Sequence, residues 1–211
     1  MPNAIRLEST GKFTVSEDLK YPIGKFDKRA SYSSAERAGF IQALEHCPAQ
    51  FRAAVAGLSE SQLETPYRPD GWTVRQVVHH LPDSHMNAFI RMKLALTEDK
   101  PIIKPYDEAA WALLVDSRGP CEGSLVLLEA LHSRWVELLR GFSETDWQRG
   151  FVHPEMLKRD QDKAAENPQW AQGFAADQFG LITLEQALGT YAWHSRHHVA
   201  HVTKLRERMG W

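Results

Sequence analysis

From Ser33 onward, apolar residues recur along the chain at spacings of three and four, the period of a helix that buries one face. Phe40, Leu44, Cys47, Phe51, Val55 and Leu58 make the first stripe, behind a Ser33-Ser34-Ala35-Glu36 capping box. Pro48 falls inside this stripe and predicts a kink. Between Leu63 and Gly71, two prolines and an Asp-Gly step break the pattern into a loop. A second capping box, Thr73-Val74-Arg75-Gln76, then opens a helix expected to reach about Leu96, with Trp72 and Val77 spaced as a hydrophobic staple. Pro82 predicts a kink just after His80 rather than a break. Residues 100–107 read as connection, followed by a short helix around Ala109 to Leu114 and a stop at Gly119-Pro120. Leu125, Leu128, His132, Trp135, Leu139 and Phe142 form a third stripe, with its helix starting near Ser124. A third capping box at Thr183-Leu184-Glu185-Gln186 opens the last helix. Its stripe runs through Leu184, Ala187, Tyr191, His194, His198, Val202 and Leu205.

Four such segments with no competing strand alternation predict an all-α protein, a four-helix bundle, over a single domain at 1–211. Residues 1–32 lack a helical stripe and read as an extended N-terminal arm, while polar residues 155–181 read as an exposed insertion with some helix. A length of 211 residues with 43% apolar content suits one sizeable core. The formal charge of -2 offers no basic excess for a phosphate backbone, so nucleic acid is not an expected partner. No apolar run approaches the roughly 18 residues of a membrane span, and the expectation is a soluble, cytoplasmic protein. Cys47 and Cys121, without a C-x-x-C pair, supply neither a disulfide framework nor a thiolate zinc knuckle.

The unusual chemistry lies in ten histidines, seven of them in two short stretches. His194 and His198 are spaced i,i+4, as are His197 and His201, and such pairs on a helix can reach one metal ion. With Tyr191 at zero, His198 falls at about -20°, His194 at about -60°, His201 at about -80° and His197 at about -120°. The pair His194 and His198 therefore points most directly inward, His201 flanks it, and His197 is expected to face solvent or a partner. On the second helix, with Leu81 at zero, His79 lies at about 160°, His80 at about -100° and His85 at about 40°. Periodicity excludes His79 but does not choose between His80 and His85. An apolar bundle interior has little reason to hold two unpartnered imidazoles, which favours a bound metal.

The run Tyr67-Arg68-Pro69-Asp70-Gly71-Trp72-Thr73-Val74-Arg75-Gln76-Val77-Val78-His79-His80-Leu81 resembles the YfiT-type branch of the DinB/YfiT superfamily. The likeness continues at Asp83-Ser84-His85-Met86-Asn87-Ala88, at Tyr21-Pro22-Ile23-Gly24-Lys25-Phe26 and at Trp193-His194-Ser195-Arg196-His197-His198-Val199-Ala200-His201, and so spans nearly the whole chain. The resemblance implies a four-helix bundle, commonly a homodimer, with one divalent ion per subunit, nickel or zinc, held by three histidines. Matched position by position, those ligands are His80, His194 and His198. Pro82 and residues 155–181 depart from the family pattern near the pocket mouth.

Three neutral imidazoles leave open coordination, the arrangement of a catalytic ion that acidifies a bound thiol or water. The resemblance implies either transfer of a low-molecular-weight thiol of the bacillithiol type to a small electrophile, the favoured expectation, or metal-dependent hydrolysis. A non-catalytic metal-binding stress-response protein is the third reading. Asp83, His85 and His201 are candidates for proton transfer or for holding a ligand imidazole. The seven tryptophans, more than one bundle core readily absorbs, add to the expectation of a homodimer.

Overall fold

The computed structural model describes residues 18–172 and 175–211. Four long helices dominate it: α1 (Ser34–Val55), α2 (Val74–Thr97), α3 (Glu122–Arg140) and α4 (Leu184–Met209). Three of their starts are the expected capping boxes. The side chains of Ser33, Thr73 and Thr183 accept from the N–H groups of Glu36, Gln76 and Gln186, which reach back to the cap backbone. The fourth start differs from expectation. α3 begins at Glu122 behind Cys121, which makes no side-chain cap, and Ser124 instead bonds His79 Nδ1 at 2.8 Å. α2 runs unbroken through Pro82, and α4 ends at Gly210, whose φ of 70° is the left-handed stop that glycine accepts without strain.

Around the bundle α1 packs on α3 and α4, and α2 packs on the same two helices, so α1 and α2 face each other diagonally. The connection from α2 to α3 contains the expected short helix, at Glu108–Trp111, then a 3-10 turn at Asp116–Arg118. One feature escaped the sequence pattern, a two-stranded antiparallel ribbon of β1 (Gly150–Val152) and β2 (Leu181–Thr183). Three residues are too few to show alternation. The ribbon feeds directly into α4, and a Cβ at Gly150 would come within 2.4 Å of the Ile182 carbonyl oxygen, so the close crossing requires glycine there. Between the strands, Pro154–Glu166 forms a helix with no buried residue, which fits the exposed polar character read from residues 155–181.

The arm was expected over 1–32, of which residues 1–17 lie outside the described residues. Residues 21–32 lie along α4, where Gly189 has no Cβ to hold off the rings of Phe26 and Tyr32. The core is divided in two. Leu44, Met92, Trp135 and Leu188 belong to one apolar cluster, and Phe51, Leu81, Leu128 and Val202 to the other. Along α4 the four histidines fall between Leu188 of one cluster and Val202 of the other, and on α2 His85 falls between Leu81 and Ala88 in the same way. Of the seven tryptophans, Trp135 and Trp147 are buried and the other five are half-buried. Among the described residues the exposed large hydrophobics are aliphatic, with Leu113, Leu114 and Val115 the longest run. No described helix is long and apolar enough to cross a membrane.

Candidate metal centre

α2 contributes His80 and α4 contributes His194 and His198, one turn apart. Their ring nitrogens converge within 4.8 Å of one another. His80 Nε2 lies 3.4 Å from His194 Nε2, which lies 3.0 Å from His198 Nε2. Nitrogens about 2.1 Å from a tetrahedral ion sit roughly 3.4 Å apart, so the spacing fits a divalent cation. His80 and His198 are buried, and His194 opens on the cavity. Burial, with the neighbouring His201, pushes His80 down to about 4, and burial holds His194 and His198 well below the ordinary histidine value. Three neutral imidazoles face one point, and a cation there would take a lone pair from each.

The two histidines that periodicity left open both point inward. His80 joins the cluster, while His85, fully buried, stands behind it with Nε2 3.0 Å from His194 Nδ1. His85 Nδ1 in turn lies 2.7 Å from His132 Nε2, and His132 Nδ1 lies 2.6 Å from the Leu44 carbonyl oxygen. His132 reads in the sequence as one more member of the α3 stripe, and its place behind His85 is visible only across the bundle. His201 flanks the site as its angle suggested. Its Nε2 donates to the Lys20 carbonyl at 3.1 Å, so its Nδ1 is left to accept from His198 Nδ1 at 3.4 Å, and its ring stacks on Tyr67. That direction leaves His198 Nε2 without a proton on the side facing His80 and His194.

His197 corrects the sequence expectation of a solvent- or partner-facing ring. It is 7% exposed, stacked on Trp193 at 4.3 Å and close to Tyr21. The arm covers this side of α4, with Trp193 Nε1 donating to the Gly24 carbonyl, and a helical wheel contains no information about such a distant segment. His79 is bonded to Ser124 and the Gly119 carbonyl, away from the centre, as periodicity required. Asp83 makes no hydrogen bond to a histidine among the described residues. Burial and the nearby Asp116 charge push its carboxyl up to about 6.

The three nitrogens face a cavity of about 390 Å³ walled by Tyr21, Tyr67, Trp72 and Trp193, with Lys20 and Arg68 as its cations. Two carboxylates that sequence reasoning did not single out, Asp70 and Glu108, also line it, and burial raises the Glu108 carboxyl. Neither cysteine lines it. Cys47 is buried, its thiol pushed up to about 12, and burial raises Cys121 as well, so both stay protonated.

Residues 43–202 match the DinB superfamily. YfiT of Bacillus subtilis (strain 168), which carries the name "Putative metal-dependent hydrolase YfiT", is 49% identical over 197 residues, covering 93% of this chain and 98% of that protein. A similarly named protein of Bacillus mycoides (strain KBAB4) is 45% identical over 195 residues, covering 92% of this chain and 99% of its own. The solved structure of YfiT from Bacillus subtilis superposes with a TM-score of 0.79 over 92% of this chain and 99% of that one. It is described as "a probable metal-dependent hydrolase with an unusual four-helix bundle topology".

Proposed function

The chain belongs to the DinB superfamily, in its YfiT-type branch, and from that premise we propose that it is a divalent-metal enzyme that activates a low-molecular-weight thiol for attack on a small electrophile. The observation that carries this reading is the convergence of His80, His194 and His198 Nε2 atoms on one point of an aromatic-walled cavity. Zinc or nickel accepts three imidazoles and, when bound, acidifies a thiol or water in its open positions. The chain's own thiols are buried or held protonated, so the nucleophile comes from solution. Lys20 and Arg68 favour an anionic thiol in the cavity, while Tyr21, Tyr67, Trp72 and Trp193 exclude water and offer faces to an apolar electrophile. His201 holds the His198 ring through its bond to Lys20.

Hydrolysis is the second reading, consistent with the names of the relatives, and Glu108 favours it. Its carboxyl lines the same cavity, where a general base would act, and burial raises its pKa. The proposal includes a homodimer, for which the exposed Leu113, Leu114 and Val115 offer an apolar surface.

Thiol consumption with monochlorobimane, measured on zinc- or nickel-loaded and chelated protein, tests the first reading. Metal-dependent conjugation supports it. Ester hydrolysis without thiol, abolished by Glu108→Gln and accompanied by no thiol consumption, would replace it with the second.

A further inference from the structure

Pro48 stands in the middle of α1, where it has no N–H to give to the carbonyl of Leu44 four residues earlier. That carbonyl points into the core and would be an unpaired buried acceptor. His132 of α3 takes the place of the missing donor, with Nδ1 at 2.6 Å. A carbonyl oxygen only accepts, so the proton sits on His132 Nδ1. Burial keeps the ring neutral, which leaves Nε2 bare. His85 Nδ1, 2.7 Å away, must then be the donor of the next bond, and an imidazole with its one proton on Nδ1 has Nε2 free to accept. That atom accepts from His194 Nδ1 at 3.0 Å. The direction of every bond follows from the one at Leu44, because each neutral imidazole has one donor and one acceptor.

We propose that the Leu44 carbonyl freed by Pro48, together with His132 and His85, forms a hydrogen-bond relay that fixes His194 in its Nδ1–H tautomer and so leaves its Nε2 lone pair for the divalent ion. The proposal rests on the three-histidine reading of the site. His85 and His132 are positioning residues, for they touch the metal centre only through His194. The relay also accounts for two features that packing alone leaves without a reason, a proline within a core helix and a fully buried pair of hydrogen-bonded imidazoles in the bundle. Its reach is long for a positioning device, since it ties a ligand on α4 to the backbone of α1 through side chains of α2 and α3.

The test is the tautomer itself, read in metal-free protein labelled with ¹⁵N-histidine by long-range ¹H–¹⁵N correlation near pH 7.5. His85, His132 and His194 should all appear as Nδ1–H. His132→Leu removes the acceptor for His85, so the His194 signals should shift toward Nε2–H and zinc affinity, by chelator competition, should fall about 10- to 100-fold. His132→Gln, whose amide can donate to Leu44 and accept from His85, should recover most of both. Pro48→Ala restores a helical donor to Leu44 and should weaken the relay in the same direction without touching a histidine. Wild-type His194 found as Nε2–H would overturn the proposal, as would a folded His132→Leu variant with unchanged tautomer and affinity. If His132→Leu does not fold, the wild-type spectrum and Pro48→Ala decide. Wild-type protein that retains no zinc would refute the three-histidine reading, while the tautomers would still judge the relay.

Discussion

Acid should unfold the metal-free protein from its interior. Burial pushes His80, His132 and His201 down to about 4 in the folded chain, whereas an unfolded chain protonates histidine near about 6.5. Between those values the unfolded state binds protons that the folded state refuses. Stability is therefore full above pH 6.5 and is lost as the pH falls toward 4. At pH 5 each group costs on the order of 2 kcal/mol, and the three together roughly 6 kcal/mol. A domain's whole stability is about 5 to 15 kcal/mol, so this loss is comparable with the total. Urea unfolding followed by tryptophan fluorescence in the presence of chelator, at steps from pH 7.5 to 5, measures it. The midpoint should fall throughout the range below pH 6.5, and His132→Gln should shallow the dependence by about 1 kcal/mol per pH unit. A midpoint that stays constant down to pH 5 would refute a layer of neutral buried imidazoles.

Replacing His80, His194 or His198 by Ala should reduce zinc retention by more than the roughly 100-fold upper end seen for residues behind a ligand, whereas His197→Ala should keep one ion per chain by elemental analysis. Arg37→Met should cost about 3 to 5 kcal/mol in urea melts, because it strips the guanidinium 3.5 Å from Glu185, a carboxylate 1% exposed that would keep only its bonds from Tyr32 N and Gln148 Nε2. Gly150→Ala should cost roughly 2 kcal/mol by pushing β1 away from the Ile182 carbonyl, seen as faster amide exchange across the ribbon. Light scattering should give twice the chain mass, and Leu114→Glu should lower it to one chain.

The parts of this architecture that were readable in the sequence are those set by neighbours within one helical turn. Ser33, Thr73 and Thr183 cap their helices through partners three residues on, and the structure has each box where the sequence puts it. The inward pair His194 and His198 is likewise a property of one helix. Where a distant segment decides, the wheel was silent. His197 is covered by the arm, Ser124 is drawn to His79, and β1 meets β2 from across a polar helix. Periodicity leaves His80 and His85 open for a physical reason, since both rings lie inside, one in the three-histidine cluster and the other behind it. His132 had a signal that could have been read, a histidine in an apolar stripe of a chain whose Pro48 leaves a core-facing carbonyl without a helical donor.

The buried, mutually bonded imidazoles also bear on which bundle this sequence can form. Leucine, valine and phenylalanine on facing helices would tolerate a slide of one turn, about 5.4 Å, with modest repacking. The histidines would not. Such a slip would move His132 away from both Leu44 and His85 and separate His80 from His194, leaving several buried polar nitrogens unpaired at roughly 1 to 3 kcal/mol each. The imidazoles thus act as a vernier mark on greasy and otherwise interchangeable scales. Alternative registers that share the same apolar contacts are disfavoured by their polar ones, and the helices are aligned before any ion arrives.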